Sequence, residues 1–230
     1  MRVLTIAWIF LLFGLLPSGA SSEELLVSTG RLERMESSGT CSATLISVDL
    51  VVTAAHCVGL QKDLEGDFPR LFYRPAAPNF AAPIAVVAGA QHPLYTPGRD
   101  DARWRFPFDL AVLRLARAIP ETSNPSLRLG PPPVSGERLT LFTWRSDPNE
   151  PVVRSCQVLP GSANLVTLGC RVRGGESGGA VVRLKDTGAE IVAVLTSRAR
   201  IGDLDIAQAS HLEGRVTPML RLLEANEEGG

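Results

Sequence analysis

The chain has 230 residues, 45% hydrophobic and 20% charged, and its 23 Lys and Arg against 24 Asp and Glu leave a net charge of −1. That balance fits a soluble globular protein of one large or two small domains, and it excludes a basic nucleic-acid binder or an acidic-tailed protein. With 17 prolines and 21 glycines, short elements joined by many turns are expected rather than long helices.

Arg2 opens the chain, and the apolar run VLTIAWIFLLFGLLP leads to Ser18-Gly19-Ala20. A positive start, an apolar centre and a small-x-small end read as a secretory signal peptide over residues 1–20, cut after Ala20. The competing reading is an uncleaved anchor, for which the run is short. Cleavage removes Arg2 alone among charged residues and leaves a net charge of −2. No later stretch is apolar enough to cross a membrane, so the mature chain is expected to be exported, periplasmic or secreted.

Residues 21–40 form a polar N-terminal segment. Short runs rich in Val, Ile, Leu and Thr then recur at 42–47, 49–54, 84–88 and 110–115, which places a first β unit over 41–118. IPETSNPSLRLGPPP, residues 119–133, is too proline-rich for a helix or a central strand and reads as a linker. A second β unit over 134–230 has strands at 138–144, 152–158, 164–168, 179–184 and 190–197. It ends in one helix, PMLRLLEANEE, with Thr217 as its cap and Pro218 at the first helical position. Many strands without intervening helices predict an all-β sandwich or barrels, not an α/β layer fold.

In an oxidising compartment four cysteines imply disulfides, and three pairings are open. The spacing favours Cys41 with Cys57 and Cys156 with Cys170, because each pair flanks a plausible hairpin. Loops of this length contribute roughly 3 kcal/mol each by chain entropy. A zinc site has little support, with no Cys-x-x-Cys and only 3 His in the chain.

GGESGG, residues 174–179, places Ser177 among glycines. Such a serine is either a nucleophile on a tight turn or the middle of a solvated loop. As a nucleophile it needs a base within hydrogen-bond reach and a group that orients the base. His56, in VVTAAHCV beside a cysteine, is the best placed of the histidines; a buried histidine more commonly just satisfies two hydrogen bonds. Asp109, the only acid in RFPFDLAVLRL, is costly to bury without a partner. His92, before a proline, and His211 read as structural, and RDDARWRF at 99–106, with Trp104, reads as a charged surface loop.

TAAHC, FDLAVLRL and GGESGGAV, in that order, resemble the signature blocks of the trypsin/chymotrypsin-like serine peptidases. CSATLIS, QHPLY, EIVAVLTS and GRVTPML extend the resemblance from about residue 40 to 223, and the compact chain looks like a bacterial exported member. The resemblance implies two antiparallel β-barrels with the site between them and peptidase action without cofactor or metal. It implies His56, Asp109 and Ser177 as catalytic residues and the backbone amides of Gly175 and Ser177 as the oxyanion hole. Partners are then protein or peptide substrates, with no nucleic acid and no membrane after signal removal, and the chain is expected to be a monomer.

The chain departs from the family pattern in two places. Glu176 and Ala180 stand where aspartate and proline are usual. No Ile-Val-Gly-Gly segment exists to supply a new N-terminus, since cuts at Arg31 or Arg34 would expose Leu32 or Met35. Glu176 is therefore expected to find another partner, an arginine, without processing. Counting back from the serine puts Arg171 at the specificity-pocket base, with Thr196, Ser197 and Arg198 on the substrate-facing strand. Arg171, Arg173 and Arg198 either favour an acidic side chain or are merely solvated.

Two rival functions remain. Gly175 to Gly179 also fits the G-x-S-x-G elbow of α/β-hydrolases, with Asp205 and His211 in the right order, but GAVVRL continues as a strand where a helix is required. A catalytically silent binding module is the other, though such modules generally lose a triad residue.

Overall fold

The structure is a computed structural model that describes residues 25–35, 39–59, 70–76, 82–97, 106–122, 125–146, 150–162, 164–186 and 188–228. The signal-peptide reading and Trp104 lie outside the described residues.

Six antiparallel strands close a first barrel: β1 (Thr29–Arg34), β2 (Thr40–Leu45), β3 (Leu50–Thr53), β4 (Leu71–Pro75), β5 (Ile84–Gln91) and β6 (Ala111–Leu115). Their order around the barrel is β1-β2-β3-β6-β5-β4. The two-residue β7 (Arg128–Leu129) follows. The second barrel holds β8 (Arg138–Arg145), β9 (Glu150–Leu159), β10 (Val166–Leu168), β11 (Ala180–Lys185), β12 (Gly188–Ile201) and β13 (Leu204–His211). Its order is β11-β8-β9-β10-β13-β12, closed by β11 pairing with β12, while β7 adds in parallel to β12. Closure pairs the strands around each barrel and limits the unpaired edges that invite aggregation.

Alternation decides which side chains enter the cores. In β4, Leu71, Tyr73 and Pro75 are buried while Phe72 and Arg74 are half-buried. Leu45, Val51, Tyr73 and Leu113 fill the first barrel, and Leu141, Leu168, Val181 and Leu195 the second. A third cluster joins Val52 and Val112 to Phe142, Val182 and Val194, and receives Met219 and Leu223 from the C-terminal helix. Burying each such side chain contributes about 1.5–3 kcal/mol, so the junction between the barrels is itself a hydrophobic core.

The all-β, two-barrel fold with a C-terminal helix is the one expected. Its boundaries differ from the sequence reading. β1 lies in the stretch taken as an N-terminal segment, yet it pairs with both β2 and β4. The linker carries β7 and buries Ile119 and Leu127. β4 and β13 were not anticipated, because LFYRP ends in proline and LDIAQASH is rich in small and polar residues of low strand propensity. The helix runs Val216–Glu228, so Thr217 sits within its first turn and not before it. Both expected disulfides, Cys41–Cys57 and Cys156–Cys170, are formed. No helix among the described residues is long and apolar enough to cross a membrane.

Candidate active site

The site begins where β3 leaves the first barrel. A single helical turn, α1 (Ala55–Val58), buries Ala55 and Val58 and turns His56 outward. The Cys41–Cys57 disulfide ties that turn to β2. Asp109 follows a 3-10 turn at Phe106–Phe108 and stands two residues before the start of β6. Its carboxylate is 1% exposed, and both oxygens face His56. Nδ1 of His56 lies 2.7 Å from Oδ2, and the His56 backbone N–H donates to Oδ1 at 2.8 Å. Two contacts from one residue fix both the ring orientation and the tautomer, since a carboxylate at Nδ1 favours the proton there. On the opposite edge of the ring Nε2 stands 3.7 Å from Cys57 Sγ, and the side chain is 32% exposed.

The turn that carries Asp109 is gripped from the second barrel. Arg215, itself buried, donates to the Pro107 carbonyl, to Ser210 Oγ at 3.0 Å and to the Asn164 carbonyl at 3.0 Å. Ser210 Oγ–H also donates to the Pro107 carbonyl. Phe108 packs against both the Arg215 guanidinium, 5.1 Å from the ring centre, and the His92 ring, stacked at 4.9 Å. Burial lowers the Arg215 pKa to about 10. Burial, and then the Arg215 charge, push His92 below the ordinary histidine value and His211 down to about 4.

Ser177 comes from the loop before β11. Gly175 and Gly178 adopt φ of 89° and 82°, where other residues are strained. A Cβ on Gly178 would also run into the Ser42 carbonyl and the Thr53 hydroxyl, and one on Gly175 into Ser146. Ser42 of β2 holds the loop from the other barrel: its N–H donates to the Ser177 carbonyl at 2.7 Å and its hydroxyl to the Gly175 carbonyl at 3.1 Å. The amides of Glu176, Gly178 and Gly179 donate to the carbonyls of Arg173, Leu195 and Glu176. Those of Gly175 and Ser177 have no acceptor among the described residues.

Glu176, fully buried, has the arginine partner expected of it. Nη2 of Arg154 donates to Oε1 at 3.0 Å, Arg145 Nε stands 3.8 Å from the same oxygen, and Thr143 donates to Oε2 at 3.2 Å. Arg154 also donates to the Arg171 carbonyl, so it braces the loop at two points. Nothing in the sequence singled out Arg154, Arg145 or Thr143, because only the β8–β9 hairpin brings them under the loop.

His56 and Ser177 line one cleft of about 370 Å³ with Phe106, Val172, Arg173, Gly174, Leu195, Thr196, Ser197 and Arg198. Three of the four residues expected to bind substrate therefore stand there. Arg171 is not among the lining residues: its side chain is 71% exposed and lies 3.7 Å from Asp205. The acid and base of the elbow alternative are elsewhere too, since Asp205 faces Arg171 and Arg200, and His211 lines a separate cleft with Pro132 and Pro133. Cys41, His56 and Cys57 are grouped closely enough to share an ion, but the two sulfurs are bonded to each other and offer no thiolate.

The family model for a trypsin-like peptidase domain matches residues 41–194, more than half of the chain. None of the curated proteins matches it. Among solved structures, kallikrein-related peptidase 10 in complex with Zn2+ is similar at 16% identity and a TM-score of 0.64, over 86% of this chain and 96% of that one. Rv3671c from M. tuberculosis, in the inactive form of a serine-to-alanine mutant, is similar at 16% identity and a TM-score of 0.60, over 88% and 89%. At that identity the two share the fold. By its domain match, the chain belongs to the trypsin-like peptidase family.

Proposed function

We propose that the protein is an exported serine endopeptidase that cleaves protein or peptide substrates through Ser177, His56 and Asp109. The observation that carries this reading is the doubly held, buried Asp109 behind His56, in the cleft that Ser177 also lines. Ser177 Oγ attacks the scissile carbonyl while His56 Nε2 takes the hydroxyl proton. The negative oxygen of the tetrahedral intermediate accepts from the amides of Gly175 and Ser177, whose lack of another acceptor suits them to the role. His56 then returns the proton to the departing amine, leaving an acyl-enzyme on Ser177. Water, deprotonated by His56, attacks the ester, and the proton passes back to Ser177 as the acid product leaves. Asp109 keeps the imidazole in the required tautomer and stabilises its cation.

Activation by a cut at Arg31 or Arg34 does not fit the fold. Both residues belong to β1, which pairs on either side, so the scissile bond would have to be unzipped first. Arg154 and Arg145 already supply positive charge to Glu176. The two disulfides accord with export to an oxidising compartment.

The test is labelling with a fluorophosphonate. Protein cut after Ala20 should be labelled at Ser177 without further processing, and the Ser177→Ala variant should not. An unlabelled native protein would overturn the peptidase reading in favour of a silent binding module. Labelling that begins only after a cut at Arg31 or Arg34 would overturn self-sufficient activation.

A further inference from the structure

The walls of the cleft carry a charge that the chemistry above does not use. Arg173, four residues before Ser177, and Arg198, on β12, stand among its lining residues, and both are exposed. Neither makes an ion pair or a side-chain hydrogen bond among the described residues. Among the described residues, Glu176 is engaged by Arg154 and Arg145, and Asp205 by Arg171 and Arg200. Asp109 is committed to His56.

The remaining lining groups offer little competition. Thr196 Oγ–H donates to the Gln208 carbonyl at 3.1 Å, and Ser197 Oγ bonds to Gln208 Oε1 at 2.9 Å. Val172 and Leu195 are buried and apolar. Among the described residues, the two guanidinium groups are therefore the charged lining donors without a partner, beside the apolar Val172 and Leu195. Placement of Arg198 has a backbone cause. β12 pairs with β11 only as far as Val194, its register shifts between Leu195 and Ser197, and beyond that point it pairs with β13 alone. Such an irregularity re-aims the side chains that follow it, and here it leaves one strand edge open beside the nucleophile loop.

We propose that Arg173 and Arg198 are specificity-determining residues that select substrates bearing an Asp or Glu side chain next to the scissile bond. This rests on the peptidase reading and adds the substrate class to it. A guanidinium donates two parallel hydrogen bonds to a carboxylate, a geometry that neither an amide side chain nor a cation can match.

The experiment compares peptide substrates that differ only in Glu against Gln, and Asp against Asn, across the cleavable bond. Fluorophosphonate titration counts the competent sites, so each rate is expressed per competent site. Acidic peptides should show kcat/KM about ten-fold above their amide partners, as expected for one charge-assisted hydrogen bond. The preference should shrink as salt rises from about 0.05 to about 0.5 M, because screening shortens the reach of exposed charges. The combined Arg173→Glu and Arg198→Glu variant should invert it toward Lys and Arg. Binding of the same peptides to Ser177→Ala protein, read by fluorescence anisotropy, tests the selection without turnover. Labelled protein that cleaves acid and amide peptides equally, or a preference untouched by the charge reversal, would overturn the inference and leave the peptidase reading standing. Unlabelled protein that still binds acidic peptides about ten-fold more tightly would do the reverse.

Discussion

The two barrels hold their shares of the site differently. The first builds its pair locally: His56 and Asp109 meet through two hydrogen bonds across neighbouring segments of one barrel. The second presents Ser177 on a loop that depends on two left-handed glycines, a buried ion cluster and a residue of the opposite barrel. The His56–Asp109 contact thus lies within one barrel, although Arg215 and Ser210 of the other hold the turn before Asp109, whereas the Ser177 loop is propped from several directions. Changes at His56 or Asp109 themselves should therefore strike the proposed chemistry alone, and changes at the supports beneath Asp109 or the Ser177 loop should strike chemistry and stability together.

Asp109→Asn makes the sharpest cut. It keeps the shape but disfavours the Nδ1 proton, and kcat should fall about 10⁴-fold by the mechanism of related triads. The melting temperature should move little; a large drop would show that Asp109 supports the barrel rather than the imidazole. Glu176→Gln comes next. It leaves Arg154 without its counter-charge, while Arg145 keeps Glu150 at 3.0 Å; removing one partner of a buried ion pair costs about 3 kcal/mol, the low end of such effects. With the loop loosened, loss of an oxyanion donor should lower kcat about 10²–10³-fold. Urea unfolding and steady-state rates read both effects, and an unaltered rate would break the contrast drawn here.

Arg215→Met tests the grip on the Asp109 turn. It deprives two buried acceptors, the Pro107 carbonyl and Ser210 Oγ, and the carbonyl of exposed Asn164 of a donor. Stability should fall by about 2 kcal/mol. If Arg215 is a positioning residue, kcat should drop about ten-fold with KM unchanged, an effect for which Arg215→Lys should compensate in part. The smallest effect is that of acid. His211 and His92 are held below the ordinary histidine value of about 6.5, His211 at about 4, by burial and the Arg215 charge. The unfolded chain takes up these protons first, so stability is full above pH 6.5 and declines toward about pH 4. Urea midpoints at pH 7 and pH 5 should differ in that direction, and the difference should shrink in His211→Gln.

The site was more legible in the sequence than its supports. His56, Asp109 and Ser177 each sit in a short motif whose local chemistry is unusual: an imidazole beside a half-cystine, a carboxylate in an apolar run, a hydroxyl among glycines. β2, β3, β6 and β11 stood out for the same reason, being dense in branched apolar residues. What escaped notice lacks a local signal. Arg154 is one arginine among many until the β8–β9 hairpin folds it under Glu176, and Ser42 looks like any strand serine. Arg171 was misplaced because a count back from Ser177 carries no information on how the chain turns after Cys170.

Ser42 has a further consequence. Its amide and hydroxyl tie β2 directly to the carbonyls of the opposing loop, next to an interior that runs unbroken from one lobe to the other. Tied in this way, the two lobes are expected to move as one body, with the gap between them held at a fixed width. Amide protons bordering that gap should exchange as slowly as those of the strands behind them, released by global unfolding rather than by any swing of the lobes.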